Sequence, residues 1–173
     1  MRFFFPLVLV LTAIGLGIYA YLGGLRMPTV ALETIATPVL LAGQPFHGKA
    51  DDARFGELFR AAKARQDASP TPPPLANLYY NNPESAHDSI RAFVGLLVPD
   101  TAAVLPTGWR YRVVPAGRRV VAARVRGVSF LLAPGKLYGA AEQGIKDLGL
   151  TGQPFYLEQF GLNEVDELRV GVK

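Results

Sequence analysis

A single acidic residue stands among aromatic and aliphatic side chains in the stretch PFYLEQF, residues 154–160. The stretch has the composition of a β-strand, in which successive side chains point to opposite faces. Tyr156, Glu158 and Phe160 therefore share one face. A carboxylate between aromatic rings pairs with cations while the rings stack on flat ligands, so this face is typical of a small-molecule pocket. The alternative is a solvated glutamate on an ordinary strand.

Two adjacent tyrosines, Tyr79 and Tyr80, lie in a second strand pattern, LANLYYNNP (75–83), which ends in an Asn-Asn-Pro turn. Because neighbouring side chains on a strand point to opposite faces, one of the two tyrosines faces the same side of a sheet as Glu158 in any register. The sequence thus predicts a hydroxylated ring close to the acid.

Other kinds of chemistry have little support in the composition. The chain has no cysteine and two histidines, His47 and His87, and no ligand spacing indicates a zinc site, so we predict no metal and no cofactor. A buried carboxylate beside a phenol suits general-base catalysis, which keeps a hydrolase of reactive small molecules as an alternative. No Ser-His-Asp set or activated nucleophile supports that alternative.

Two amphipathic helices are predicted, one in each half of the chain. Residues 51–66 have apolar side chains at helical spacing, with Asp51 and Asp52 suited to the helix start. Residues 133–149 form the second helix, with Pro134 placed for its first turn. The apolar stripes of the two helices consist of Phe55, Leu58, Phe59 and Ala62, and of Leu137, Ala141, Ile145 and Leu148.

Strand patterns surround both helices in the same order. Strand, helix, strand, strand is predicted for residues 27–100 and again for residues 108–173, where residues 111–127 form a strand region broken at 115–117. Two such modules give an α+β fold, an antiparallel sheet with both helices on one face. If the helices cover the face of Phe155 and Leu157, Glu158 looks out on the open face, in a cleft between the modules.

The N-terminus predicts a membrane anchor. No charge occurs from Phe3 to Leu25, and about 23 helical residues at 1.5 Å each cover the ~30 Å hydrocarbon core of a bilayer. We predict an uncleaved single-pass anchor at residues 1–26; the alternative is a cleaved signal peptide. Arg2 and Arg26 flank the two ends, so the positive-inside rule leaves the orientation open.

Six arginines make the third quarter of the chain basic, although the net charge is only +4. They are Arg110, Arg112, Arg118, Arg119, Arg124 and Arg126. Their mixed spacing predicts a polar sheet face rather than a clustered patch for nucleic acid, and attraction to an anionic membrane is the alternative. We therefore predict no nucleic-acid partner.

Several short motifs, taken in order, resemble the GyrI-like (gyrase-inhibitor-like) small-molecule-binding domain. They are FHG (46–48), FGELF (55–59), YYNNP (79–83), AFVGLLV (92–98) and LEQF (157–160). With the anchor, the chain is most similar to the membrane-anchored testis-expressed ER-phagy receptor-like proteins. The resemblance implies a pocket between the modules, with Glu158 at the acid position, and a cytoplasmic domain. The predicted ligand-binding residues are Glu158, Tyr156, Phe160, Tyr79, Tyr80 and Phe46.

Two features of the relatives have no counterpart in this sequence, which has neither a DNA-binding helix-turn-helix nor the long adaptor-binding tail of the ER-phagy receptor. We therefore expect no ER-phagy function. The predicted function is a membrane-tethered domain that senses, buffers or sequesters an amphipathic or cationic molecule. The alternatives are the hydrolase and a protein-interaction module whose cleft is vestigial.

Overall fold

A computed structural model describes residues 4–49, 51–86, 89–162 and 165–173; His87 lies outside these ranges. The described helices are α1 (Phe4–Tyr21), α2 (Ala53–Asp67) and α3 (Ala133–Asp147). The described strands are β1 (Thr29–Thr34), β2 (Val39–Gly48), β3 (Leu75–Tyr79), β4 (Ile90–Leu97), β5 (Arg110–Val114), β6 (Arg119–Arg126), β7 (Gly152–Leu162) and β8 (Val165–Val172).

The predicted α+β fold is confirmed, with one refinement in each module. The order is β1-β2-α2-β3-β4 followed by β5-β6-α3-β7-β8, so an additional strand precedes each strand–helix–strand–strand unit. α2 packs on β4, β2 and β3, while α3 packs on β6, β8 and β1. Tyr156 contacts the apolar clusters under both helices, so the two helices lie on the same face of the sheet.

The eight strands form one antiparallel sheet in the order β1-β6-β8-β7-β3-β4-β2-β5. The two modules meet where β3 pairs with β7 at the centre. Each module also gives its first strand to the other, because β1 pairs with β6 and β5 pairs with β2. This exchange ties the modules together at both edges of the sheet.

The exchange also requires the sheet to curl. β1 and β2 are six positions apart in the sheet, a distance of about 29 Å if the sheet were flat. The chain from Thr34 to Val39 spans at most about 18 Å, and the link from Val114 to Arg119 is equally short. The two edges must therefore approach each other on the side away from the helices.

Two glycines allow the backbones of β2 and β4 to approach closely within this curl. Gly43 and Gly95 are register partners. A Cβ atom on Gly43 would lie 2.1 Å from the carbonyl oxygen of Val94, and one on Gly95 would lie 2.1 Å from that of Ala42. Any side chain at either position would force the two strands apart.

Because the sheet curls, apolar side chains are buried on both of its faces. One face packs under α2 and α3, in clusters around Phe46 and Leu137. The inside of the curl holds a further cluster that includes Leu41, Leu78 and Leu157. A curled sheet with helices outside buries side chains in both directions, so alternation along a strand does not separate a wet face from a dry one.

This arrangement corrects the predicted orientation of β7. Phe155 and Leu157 point into the curl, where they pack in the cluster around Leu41. Tyr156 points toward the helices, and Glu158 shares its face by alternation. The acid therefore lies on the helix-covered face rather than on an open one. The prediction was wrong because the apolar residues of β7 fill the curl instead of supporting the helices.

The helix starts follow the predicted signals within two residues. α2 begins at Ala53, where the Asp52 carboxylate accepts a hydrogen bond from the backbone N–H of Arg54 at 2.9 Å and caps the helix. α3 begins at Ala133 with Pro134 in its first turn. These helix starts matter for the site, since residues of both helices line the space around Glu158.

α1 has 18 residues, a mean hydropathy of 2.0 and no buried residue. Its length and composition are sufficient for a membrane span, although an N-terminal signal sequence has the same properties. The helix does not pack into the core of the sheet domain.

Candidate functional site

Glu158 lies on β7 beside the centre of the sheet, with only 5% of its surface exposed. Its register partner on β3 is Asn77, and the Asn77 side-chain amide donates a hydrogen bond to Glu158 Oε2 at 3.1 Å. None of the ion pairs formed by the described residues includes Glu158. A buried carboxylate is thus held by a neutral amide, without a cation to balance its charge.

Two buried phenols flank the acid. Tyr79 lies two residues beyond Asn77 on β3, and Tyr138 projects from α3. The hydroxyl of Tyr138 is buried and faces the Glu158 carboxylate, but it makes no hydrogen bond of ordinary length and angle among the described residues. Its ring stacks on Tyr156 with centroids 5.9 Å apart. The site therefore contains a phenol whose hydroxyl is not fully engaged, next to an acid that has no cationic partner.

Burial raises the pKa of Glu158 above its ordinary value, and the opposing effects of the Asn77 amide and the two phenols only reduce this rise. Burial also raises the pKa of Tyr79 and of Tyr138, and the nearby charge of Glu158 adds to both shifts. Both phenols consequently stay protonated, as hydrogen-bond donors, throughout the physiological range.

A cavity of about 150 Å³ lies in front of Glu158, between α2 and α3. Its wall is formed by Phe59, Asn77, Tyr79, Pro83, Glu84, Phe130, Pro134, Glu158 and Phe160. A second hollow of about 210 Å³ has Tyr138 and Tyr156 in its wall. Because Tyr138 also faces Glu158, we infer that the stacked ring pair separates the two spaces.

The structure brings together some of the predicted ligand-binding residues. Tyr79 and Phe160 line the cavity with Glu158. Tyr156 lines the adjacent hollow. Phe46 is buried under α2, with its ring centroid 4.7 Å from that of Phe55, and does not line the cavity. It supports α2 from below instead.

Tyr80 is placed away from the acid. It packs against the cluster inside the curl, and the guanidinium of Arg112 lies 5.3 Å from its ring centroid. Since Tyr79 faces the helices, its neighbour must point to the other side of the sheet. Tyr80 therefore lies on the opposite face of the sheet from the Glu158 cavity, unlike Tyr79.

Four residues that lie around Glu158 were not among the predicted ligand-binding residues: Asn77, Tyr138, Phe59 and Phe130. Asn77 alternates with Tyr79 on one face of β3, a signal that the sequence contained. Tyr138 adjoins the predicted stripe of α3, where it is buried while the predicted Leu148 is exposed. No sequence signal placed Phe130 in the site, because it precedes α3 in a loop.

We expect the free energy of unfolding to contain a pH-dependent contribution from Glu158. Below the ordinary value of 4.5, the carboxyl is protonated in both states. As the pH rises through the raised pKa, the folded chain must bury a charge that the unfolded chain hydrates, so stability is lost. Urea unfolding of wild type and Glu158→Gln from acid to neutral pH measures this. The stability advantage of the variant should widen with pH, and a constant difference would contradict the assignment.

No family model and no curated protein matches this chain in sequence. Its fold is nevertheless similar to that of several solved structures. The crystal structure of the EcmrR C-terminal domain has a TM-score of 0.57 at 16% identity, over 84% of this chain and 98% of that domain. In the EcmrR–DNA complex, the chain spans only 58% of EcmrR, at 16% identity, with a TM-score of 0.58 over 85% of this chain.

Two further structures have the same fold. The integron cassette protein VCH_CASS2 of Vibrio cholerae has a TM-score of 0.60 at 12% identity, over 86% of this chain and 99% of that one. SAV2435, whose structure contains bound tetraphenylphosphonium, has a TM-score of 0.56 at 10% identity, over 84% and 94% of the two chains. This chain therefore shares its fold with these structures, which is consistent with the predicted resemblance to GyrI-like domains.

Proposed function

We propose that the chain binds an amphipathic cation between α2 and α3, with Glu158 as the counter-ion. The observation that supports this most strongly is the burial of Glu158 without a cationic partner. A buried charge that is not paired is costly for a fold, and such groups cluster at functional sites. A ligand cation would supply the missing charge.

The surroundings of the acid suit a ligand with aromatic groups. Phe59, Phe130 and Phe160 offer ring faces and edges for stacking. The Tyr138 hydroxyl is an available donor. SAV2435 binds tetraphenylphosphonium on the same fold, which makes that cation a suitable probe for this chain.

The cavity, as it stands without a ligand, is too small for such a molecule. Drug-sized molecules fill pockets of roughly 300 to 1,000 Å³, and this cavity has about 150 Å³. Binding therefore requires one wall to move. α2 is the more loosely held wall, because Ala62 is its only buried residue whereas α3 buries Ala133, Leu137, Tyr138 and Ala141. We infer that α2 shifts outward when a ligand enters.

We further propose that α1 tethers the domain to a membrane with the domain in the cytoplasm. Support for the tether comes from the length and hydropathy of α1. The relation to the membrane-anchored ER-phagy receptor-like proteins, the cytoplasmic orientation, the anchor at 1–26 and the domain at 27–173 stay predictions. So does the absence of a nucleic-acid partner, although one protein of this fold, EcmrR, is seen in complex with DNA.

Thermal unfolding of the full chain in a mild zwitterionic detergent tests the proposed function. Tetraphenylphosphonium should raise the unfolding midpoint progressively, because a ligand that binds only the folded state stabilises it by mass action. Tetraphenylborate, of nearly the same shape and opposite charge, is the matched control and should give no such rise. If neither ion nor any other aromatic cation shifts the midpoint, the protein-interaction hypothesis replaces this one.

Replacing Tyr138 with phenylalanine should leave the stability of the chain unchanged or slightly raised. The substitution removes a buried hydroxyl that makes no hydrogen bond of ordinary geometry, a group whose burial carries a desolvation cost. If the hydroxyl serves the ligand, the same variant should bind cations with phenol-accepting groups less tightly. Urea unfolding and calorimetric titration measure the two effects. A marked loss of stability would show that the hydroxyl stabilises the Glu158 carboxylate in the folded chain.

Hydrolysis is the second candidate function, and the acid with a raised pKa beside two phenols is the observation in its favour. Glu158 would take a proton from water while a phenol protonates the leaving oxygen of a strained electrophile. Incubation with an aryl epoxide should then give the diol in wild type and not in Glu158→Gln. Unchanged epoxide in both would leave binding as the function.

A further inference from the structure

The loop between β6 and α3, residues 127–132, exposes two adjacent large apolar side chains. Phe130 is 65% exposed and Leu131 is 79% exposed. Single apolar residues at a surface are ordinary. These two, however, lie next to each other in a loop that also touches the end of α1, which sets them apart from scattered surface residues.

Hydrogen bonds join this β6–α3 loop and the start of α3 to the segment that follows α1. The backbone N–H of Ser129 donates to the carbonyl of Leu22 at 2.9 Å. The Lys136 ammonium donates to the carbonyls of Gly24 at 2.6 Å and Arg26 at 2.9 Å. The end of α1 is therefore fixed against this side of the domain.

Gly23 makes the contact close. It has a φ of +80°, and a Cβ atom there would lie 2.6 Å from the carbonyl oxygen of Gly127. The backbones of the α1 end and the β6–α3 loop touch directly, without a side chain between them. This packing leaves no free linker that would let the domain turn away from the helix.

The length of α1 sets the position of the lipid boundary. Its 18 residues extend about 27 Å, close to the ~30 Å thickness of a bilayer core. A helix that spans the bilayer therefore brings its Tyr21 end to the interface. Leu25 and Met27, just beyond that end, are exposed apolar residues as well. The β6–α3 loop, bonded to this segment, then lies at the level of the headgroups.

The same loop forms one side of the Glu158 cavity. Phe130 lines the cavity, and its ring centroid lies 6.0 Å from that of Phe160 on β7. Pro134, in the first turn of α3, lines the cavity too. Because Phe130 is both part of the wall and mostly exposed, it belongs to the mouth of the cavity.

We propose that the β6–α3 loop enters the membrane interface through Phe130 and Leu131 and that the Glu158 cavity opens toward the lipid. The site then takes amphipathic cations from the bilayer surface, where such molecules concentrate, rather than from bulk water. This inference rests on the proposed tether and binding site, and it adds the source of the ligand and the surface through which the ligand reaches the acid.

The absence of cysteine from the sequence makes a direct test possible. A single cysteine in place of Leu131, labelled with an environment-sensitive fluorophore, reports on this loop in the full chain reconstituted in phosphatidylcholine–phosphatidylglycerol vesicles. Leu148→Cys is the matched control, because Leu148 is also an exposed apolar residue. It lies at the opposite end of α3, about 22 Å away for a helix of 15 residues. Lipids carrying a shallow nitroxide should quench the Leu131 probe several-fold more than the Leu148 probe.

Three outcomes separate this inference from the proposals on which it rests. Equal, weak quenching at both positions, in protein that alkaline extraction leaves on the vesicles, overturns the inference while the tether stands. Release of the protein by alkaline extraction overturns the tether and the inference together. Quenching of the Leu131 probe supports the inference even if tetraphenylphosphonium later fails to bind, because it reports on the loop and not on the ligand.

A second variant tests the route to the acid. Leu131→Asp should slow the association of tetraphenylphosphonium with protein in vesicles several-fold, because a charged loop is driven from the interface. Leu148→Asp should leave the rate unchanged. Equal rates for the two variants would show that the ligand reaches Glu158 from water.

Discussion

Glu158→Gln should weaken the binding of tetraphenylphosphonium about thirtyfold or more, since losing one member of a buried charge pair costs about 2 kcal/mol or more. The change keeps the size of the side chain and its hydrogen-bonding contact with Asn77 while removing the charge. The unliganded variant should be at least as stable as wild type at neutral pH, because it no longer buries an unpaired carboxylate. Calorimetric titration gives the affinity and urea unfolding the stability.

Glu57→Gln is the control for this experiment, because Glu57 is an exposed acid on α2, the same helix that covers the cavity. It removes an identical charge from the molecule and should leave the affinity for tetraphenylphosphonium unchanged. If both variants lose affinity equally, the ligand responds to the general charge of the protein. If neither does, Glu158 is not the counter-ion and the proposed site is wrong.

Leu157→Ala should lower the stability of the fold without weakening ligand binding, the reverse of Glu158→Gln. We expect a loss of about 2 to 5 kcal/mol, which is the usual cost of a large-to-small change in a core. Leu157 is 0% exposed and packs inside the curl with residues from both modules, among them Leu41 of the first and Val120 of the second. Truncation leaves a void that the surrounding strands cannot fill, because their short links hold the curl closed. Urea unfolding followed by the fluorescence of Trp109 measures the loss.

The binding of tetraphenylphosphonium distinguishes the role of Leu157 from that of its neighbour Glu158 on β7. Leu157 points away from the cavity, so the folded Leu157→Ala protein should bind the cation as wild type does once unfolded protein is discounted. Val113→Ala, an exposed truncation on β5, should change stability by no more than a few tenths of a kcal/mol. A similarly small effect of Leu157→Ala would mean that the curl is not packed as described.

The local pattern of the sequence was sufficient to locate the helices and strands. Which residues surround Glu158, in contrast, depends on how the strands pair. Residues 51–66 and 133–149 carry periodic stripes and end signals, so both helices were located within about two residues of the α2 and α3 bounds. The order of elements was sufficient for the α+β class. Both conclusions depend on contacts within a dozen residues, which a sequence displays directly.

The faces of the strands could not be read in the same way. Alternation places Glu158 with Tyr156, but it does not say which face the helices cover, and the curl makes both faces apolar. The neighbours of the acid come from distant parts of the chain: Asn77 is 81 residues away along the sequence. The choice between Tyr79 and Tyr80 depended on the register of β3 against β7, which no local pattern determines.

Because β1 and β5 each complete the other module's sheet, neither half of the molecule is self-sufficient. A half-length polypeptide would present an unsatisfied strand edge at the place where its counterpart belongs, and such edges template association. Two identical half-length chains would satisfy each other by trading their first strands. The architecture thus has, within one polypeptide, the strand exchange that is otherwise seen in a domain-swapped homodimer.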